Sequence, residues 1–294
     1  MATITAGTYF PTELVNEMFD AVRGRSALAK LSQEKPMAFT GATEFVFSAA
    51  GEAQLVAEGD AKAAGDATVT PKVIKPVKLV YQQRVSDEFI RSGDETRLQY
   101  LEAFAEGFGR KIARGFDIAA MHGCDPKTGT PASFQSTNSF DGLATALDIA
   151  NYNDIAEAIE DAINTTTTGD VNGIALSKDA GTALGAINAN GMPLYPEFKF
   201  GQNPDAFYGM KSDVNSTVGV QYTGQAKQDL VIVGDFENAF RWGYAADIPL
   251  EVIEYGDPDG TGHDLKQYNE VCLRAEAYIG WAVLDATAFC IVNE

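Results

Sequence analysis

Only a few residues in this chain are spaced for chemistry. His122 stands two positions from Cys124, the pairing a thiol nucleophile needs if an imidazole is to take its proton. Both fall where a long helix ends, so the plainer reading is a histidine favoured by the helix dipole beside a structural cysteine. Asp257-Pro-Asp259-Gly-Thr-Gly has the look of a calcium loop. Counted from Asp257, however, position five is Thr261 and position twelve is Tyr268 rather than a bidentate glutamate, and no helical pattern flanks the segment. It reads as an acidic hairpin turn, with His263 beside Asp264 simply solvated. Asp235 and Glu237 could be drawn as an acid/base pair, but among 41 acidic residues such proximity carries little information. No nucleophile elbow, phosphate loop or H-E-x-x-H pattern occurs, and Gly107-Phe-Gly109 lacks the third glycine of a dinucleotide fingerprint. No catalytic residue, cofactor or metal is expected.

The basic run Lys72, Lys75, Lys78 and Arg84 has no acid within it. The acidic residues Glu52, Glu58 and Asp60, with Lys62 among them, lie just upstream in GEAQLVAEGDAK. Opposite signs close together suit contacts between protein subunits, and these eight residues are the candidate contact set. With 22 basic and 41 acidic side chains in 294 residues the formal charge is −19, which excludes a generic basic nucleic-acid binder. Three cysteines without C-x-x-C spacing fit neither a paired disulfide framework nor a four-thiolate zinc site. The start MATITAGTYFPTEL does not read as a secretory signal. The apolar stretch 275–292 is interrupted by Asp285 and falls short of the ~20 residues of a membrane span.

The elements that carry these residues follow from periodicity. An arm occupies 1–35, with a short helix from Thr12 to Val22. Two strand-like runs, AFTGATEFVFS and 73–85, flank an Ala/Gly/acid-rich middle. In the second run Val73, Val77, Leu79, Tyr81 and Val85 are apolar and Lys78, Gln82 and Arg84 face the other way, a half-buried strand. Pro71 and Pro76 disfavour a central place in a large sheet, so a two-stranded hairpin arm is expected. Such a ribbon is marginal by itself and needs something else to hold it. Asp94 to Met121 is a long helix with a stripe of Leu98, Leu101, Ala105, Phe108, Ile112, Phe116 and Ala119, stopped by Gly123; packing or a bend would account for its glycines. A helix capped by Asp154, a strand at Val171 to Leu176, a helix from Lys178 to Asn188, a Gly191 turn and a buried strand at 229–233 come next. The C-terminal third reads as strands. The fold class is α+β, with one long helix and a protruding arm.

In that order, the tip GEAQLVAEGDAK, the return VIKPVKLVYQQRVSDEFI and the helix ending IARGFDIAAMHG resemble the major capsid proteins of tailed bacteriophages. The segments IALSKDAGTALGAINANGMPLY and VGDFENAF and the ending LRAEAYIGWAVLDATAFCIV extend the resemblance over nearly the whole chain. It implies the shell fold named after phage Hong Kong ninety-seven. Its parts would be an N-terminal arm (1–35), an extended loop (36–88), a peripheral domain with a spine helix (89–142), an axial domain (143–240) and C-terminal strands returning to the peripheral domain (241–294).

It also implies self-assembly through pentamers and hexamers into an icosahedral head around double-stranded DNA, bound without sequence specificity. Portal and decoration proteins would be further partners, and scaffolding would be a separate protein or not needed, since Met1 stands directly at the arm. The protein would be made in the bacterial host cytoplasm and end in the virion, with no membrane partner. Lys62 would be the donor of an isopeptide crosslink in members that form one. No matching asparagine or glutamate is apparent, so shells without covalent crosslinks are expected. The rivals are an encapsulin-like nanocompartment shell of the same fold and an acidic intracellular enzyme.

Overall fold

A computed structural model describes residues 25–50, 55, 56, 58, 66–90, 94–167, 169–245 and 250–294. The short helix expected at Thr12 to Val22 lies outside them. The chain enters through α1 (Ala27–Leu31), capped by Ser26, whose side chain accepts from the Ala29 amide. An antiparallel ribbon follows, β1 (Ala42–Ala50) with β2 (Asp66–Ile74), and then β3 (Val77–Ser86). The expected single strand over 73–85 is thus two strands, interrupted at Lys75-Pro76, where proline supplies no ladder donor. The interruption also changes which face is buried: Val77, Leu79, Tyr81 and Val85 pack on the core, whereas Val73, expected on that same face, is exposed.

A four-residue helix α2 (Asp87–Ile90) precedes α3 (Asp94–His122), the long helix read from the sequence. Leu101, Ala105, Phe108, Ile112, Phe116 and Ala119 are buried along it as their spacing requires. Gly123 ends it with a φ of +63°, and a Cβ there would stand 2.6 Å from the Gln135 Cα, so the stop is both conformational and steric. The expectation that packing explains the helix glycines fails for Gly107, which has open space where a Cβ would go. Gly107→Ala should therefore stabilise the isolated subunit by about 0.5–1 kcal/mol, read from its urea midpoint.

Beyond α4 (Gln135–Asn138) and α5 (Phe140–Leu143) the chain forms β4 (Thr145–Asp148), α6 (Ile155–Thr165), β5 (Gly173–Leu176) and α7 (Lys178–Ala186). Asp154 caps α6 by accepting from the Ala156 and Glu157 amides, as its position before the apolar stripe predicts. A small hairpin, β6 (Asn188–Ala189) with β7 (Met192–Pro193), turns at Gly191. Then come β8 (Ala206–Phe207), β9 (Met210–Val214) and β10 (Asp229–Gly234). The last strands are β11 (Phe240–Tyr244), β12 (Leu250–Ile253), β13 (Glu270–Val283) and β14 (Phe289–Asn293).

Two larger sheets result. One has the order β4-β14-β10-β5-β9-β8; the other is built on β13, with β3, β11 and β12 as its partners. The final strand does not return with β13. It joins the first sheet, parallel to β4 and antiparallel to β10, because Asp285 and the turn after it redirect the chain. That sheet lies between two cores, and its alternation shows this directly: Ala175, Ile232, Phe289 and Ile291 face the spine-side core, while Ile174, Val231, Val233, Cys290 and Val292 face α6 and α7.

Candidate assembly surfaces

The β1–β2 register sets what the ribbon presents. Thr43 is opposite Val73, Phe45 opposite Pro71 and Phe47 opposite Val69, so all six side chains share one face. The large apolar members of that face are in solvent: Phe45 is 70% exposed, Phe47 65%, Val73 61% and Val69 54%. The other face carries Glu44 opposite Lys72, and Glu44 is paired with Arg241 of β11, which ties the ribbon's root to the β13 sheet. At the root Ile74 is buried, and Lys35 and Met37 donate their amides to the carbonyls of Trp242 and Tyr244. A contiguous exposed apolar face of this kind marks an interaction surface.

The candidate contact residues divide by environment. Arg84 is engaged within its own chain: its guanidinium reaches Asp257 at 2.8 Å, Glu270 at 3.2 Å and Asp259, and donates to the His263 carbonyl at 2.8 Å. Hydrogen bonding to Arg84 holds the Asp259 carboxyl well below its ordinary range. The loop that resembles a calcium site therefore closes around an arginine, and Asp257 also accepts from the Thr261 and Gly262 amides. Lys78 pairs with Glu276 of β13 at 2.6 Å. Lys75 and Glu58 are exposed and Lys72 is half-buried, while Glu52, Asp60 and Lys62 lie outside the described residues.

Two buried polar clusters brace the frame, and the sequence reading missed both. Asp117, on the spine helix, accepts from Ser26 Oγ at 2.5 Å, the Ala27 amide at 2.9 Å, the Leu28 amide at 3.3 Å and Thr217 Oγ1 at 3.1 Å. An acid inside the apolar run Gly-Phe-Asp117-Ile-Ala-Ala was the available signal. His122, expected only to sit at the helix end, is buried. Its Nδ1 lies 2.9 Å from Asp141 Oδ2 and 3.3 Å from Asp229 Oδ2. Burial lowers its proton affinity, but hydrogen bonds to the two aspartates outweigh that and raise its pKa to about 10. Neither imidazole nitrogen is turned to Cys124, whose buried thiol is pushed up to about 11. Asp235 and Glu237 also serve the fold: Asp235 accepts from Asn172 and from the Asn238 amide, and Glu237 pairs with Lys211.

A fold that spends its buried polar groups on bracing, while leaving an apolar ribbon face in solvent, is that of a component of an assembly. The sequence profile of the phage capsid family matches residues 6–293. The chain belongs to the phage capsid family. A solved structure from Mycobacterium phage Ogopogo is 30% identical, with a TM-score of 0.77 and 92% of each chain covered. One from Gordonia phage Cozz is 26% identical, with a TM-score of 0.70, covering 91% of this chain and 86% of its own. The capsid of a native GTA particle shares the fold at 15% identity, with a TM-score of 0.59 over 91% of this chain and 89% of its own. No curated protein matches the chain.

The fold is the phage shell fold, and the protein is a major capsid protein of the phage head, a virion component that self-assembles into shell capsomers. The family is one of structural capsid proteins rather than enzymes, and the nanocompartment reading is not favoured. Among the described residues no helix is long and apolar enough to cross a membrane.

Proposed function

We propose that this capsid protein builds pentamers and hexamers that close around packaged double-stranded DNA, and that the β1–β2 ribbon is the arm binding one subunit to the next. The observation that carries this reading is the shared face of Phe45, Phe47, Val69 and Val73, exposed on a ribbon whose two strands, among the described residues, have only each other as ladder partners. Covering that face with a neighbouring copy removes its apolar surface from water and gives the ribbon the third layer it needs. In this reading Glu58 and Lys75, with Glu52, Asp60, Lys62 and Lys72, supply the polar contacts around the apolar face. Lys78 and Arg84 act indirectly, by fixing β3 to β13 and to the 254–269 loop.

A charge of −19 suits a container that holds DNA without sequence preference and later releases it. Portal, scaffolding and decoration proteins would act on the assembled shell rather than on a site within one subunit, and assembly would take place in the host cytoplasm.

The test is the double substitution of Phe45 and Phe47 by aspartate. Because both side chains are exposed in the subunit, its own stability should change by no more than about 0.5 kcal/mol. Light scattering and negative-stain imaging should show subunits or capsomers but no closed shells. Normal shells from this variant would overturn the proposed role of the ribbon.

A further inference from the structure

We propose that His122, Asp141 and Asp229 form a divalent-cation site, of the zinc or manganese class, that fastens the end of the spine helix to α5 and to the first residue of β10. One ligand atom from each residue lies within 4.8 Å of the others. The three side chains are closed from solvent, with 0% of His122, 8% of Asp141 and 4% of Asp229 exposed. Ligands bound at roughly 2.0–2.1 Å in tetrahedral or octahedral array stand about 2.8–3.4 Å apart. The Nδ1 to Oδ2 separations here, 2.9 Å to Asp141 and 3.3 Å to Asp229, are of that size.

The hydrogen bonding around the cluster points the same way. His122 Nε2–H donates to the Thr217 carbonyl at 2.8 Å, and a carbonyl can only accept, so this nitrogen carries a proton. Fixing one ring nitrogen as a donor to a backbone carbonyl is the arrangement by which proteins orient a metal-bound histidine, and it leaves Nδ1 to face the two carboxylates. Asp141 Oδ1 and Asp229 Oδ2 are buried and meet no donor in good hydrogen-bond geometry; the approach to Asp229 Oδ2 is the long one from His122 Nδ1, at 3.3 Å. Besides His122, Asp141 has the Gln225 amide 3.5 Å from Oδ2 and the Asp229 carboxyl beside it.

Charge decides between a proton and a metal ion at Nδ1. With a proton there and both carboxyls ionised, one positive ring faces two carboxylates and the closed site keeps a net charge of minus one. Among the described residues neither carboxylate has a lysine or arginine ion pair to cancel it. Without a metal the site becomes neutral only if Asp141, pushed up to about 7 by burial and by the neighbouring Asp229, takes a second proton. A divalent cation with a neutral imidazole brings the sum to zero with both carboxylates ionised, and engages Asp229 Oδ2, which the Nδ1 proton shared with Asp141 meets only at 3.3 Å. One imidazole nitrogen with two carboxylate oxygens suits zinc or manganese better than copper(I) or an iron–sulfur cluster, which favour thiolates.

The test uses assembled shells. Purified wild-type shells, incubated with ZnCl2 or MnCl2 and freed of excess by gel filtration, should carry about one metal ion per subunit by elemental mass spectrometry. Asp229→Asn keeps the side-chain volume and should lower that ratio about ten-fold or more. Chelation of the wild type should lower its melting temperature, and the same salt should restore it. If the variant does not fold, the wild-type stoichiometry and the chelation cycle still decide the matter. Fewer than about one ion per ten subunits with both salts, with a melting temperature indifferent to chelator and metal, would overturn the proposal and leave a protonated histidine as the cluster's only cation.

Discussion

Phe116→Ala is expected to destabilise the folded subunit by about 4 kcal/mol, measured by urea unfolding of dissociated capsomers. The size of the effect follows from the ring's position. Phe116 is completely buried on the spine helix, with its centroid 5.1 Å from that of Trp242 on β11 and 5.8 Å from that of Trp281 on β13. The Trp281 indole is held out of the vacated space by its hydrogen bond to the Asn138 carbonyl at 3.0 Å, and the backbones of both tryptophans are fixed as register partners in one sheet. The cavity therefore persists, and the lost contacts add to the lost transfer energy. A loss below about 1 kcal/mol would mean that the helix turns a different face to the sheet.

That Phe116 faces the core follows from periodicity alone, which is why the spine was legible from the sequence. A stripe repeating every three or four residues along most of a 29-residue helix can be satisfied only by a helix packed along one side. The same holds for β10, whose uninterrupted apolar run needs a sheet covered on both faces, and for α6, whose Asp154 cap and stripe agree. What local pattern could not give was partnership. Val73 and Val77 share a parity, yet two residues at Lys75-Pro76 place them in different strands and different environments. Phe289–Asn293 is a short apolar run that fits a covered strand in either sheet, and nothing local says which one it enters.

The His122 cluster was invisible for a related reason. Asp141 and Asp229 are remote in sequence from His122 and from each other, and each looks locally like a residue of a helix start or a strand start. Only the approach of three elements at one point gives them a common role. The apolar ribbon face, by contrast, was half legible. The strand runs and the need for outside support could be read, but which residues align across the ribbon is fixed by register, and register showed that Phe45 and Phe47 meet Pro71 and Val69.

Removing the Asp117 carboxylate should produce the second large effect, with a pH dependence opposite to that of an ordinary salt-bridged acid. In Asp117→Ala the Ser26 and Thr217 hydroxyls and the Ala27 and Leu28 amides lose their acceptor in a fully buried setting. The expected cost at pH 7 is about 3 kcal/mol, against about 1 kcal/mol for Ser26→Ala, which removes a helix cap but leaves the carboxylate in place. Burial pushes the Asp117 carboxyl up to about 6, despite the hydrogen bonds that work to lower it. A pKa raised on folding means that the native state holds the proton more tightly than the unfolded chain does. This contribution is complete below about pH 4, near the unfolded value, and is lost as the pH rises through about 6. The wild type should thus lose up to about 3 kcal/mol from this one group between those limits, and the variant should not. The stability difference between wild type and Asp117→Ala therefore widens as the pH falls from 7 to 4. A difference that narrows over that interval would show the carboxyl to be held ionised by its four donors, with burial the lesser influence. The N-terminal segment would then be anchored to the spine by a charge rather than by a carboxyl that readily takes up a proton.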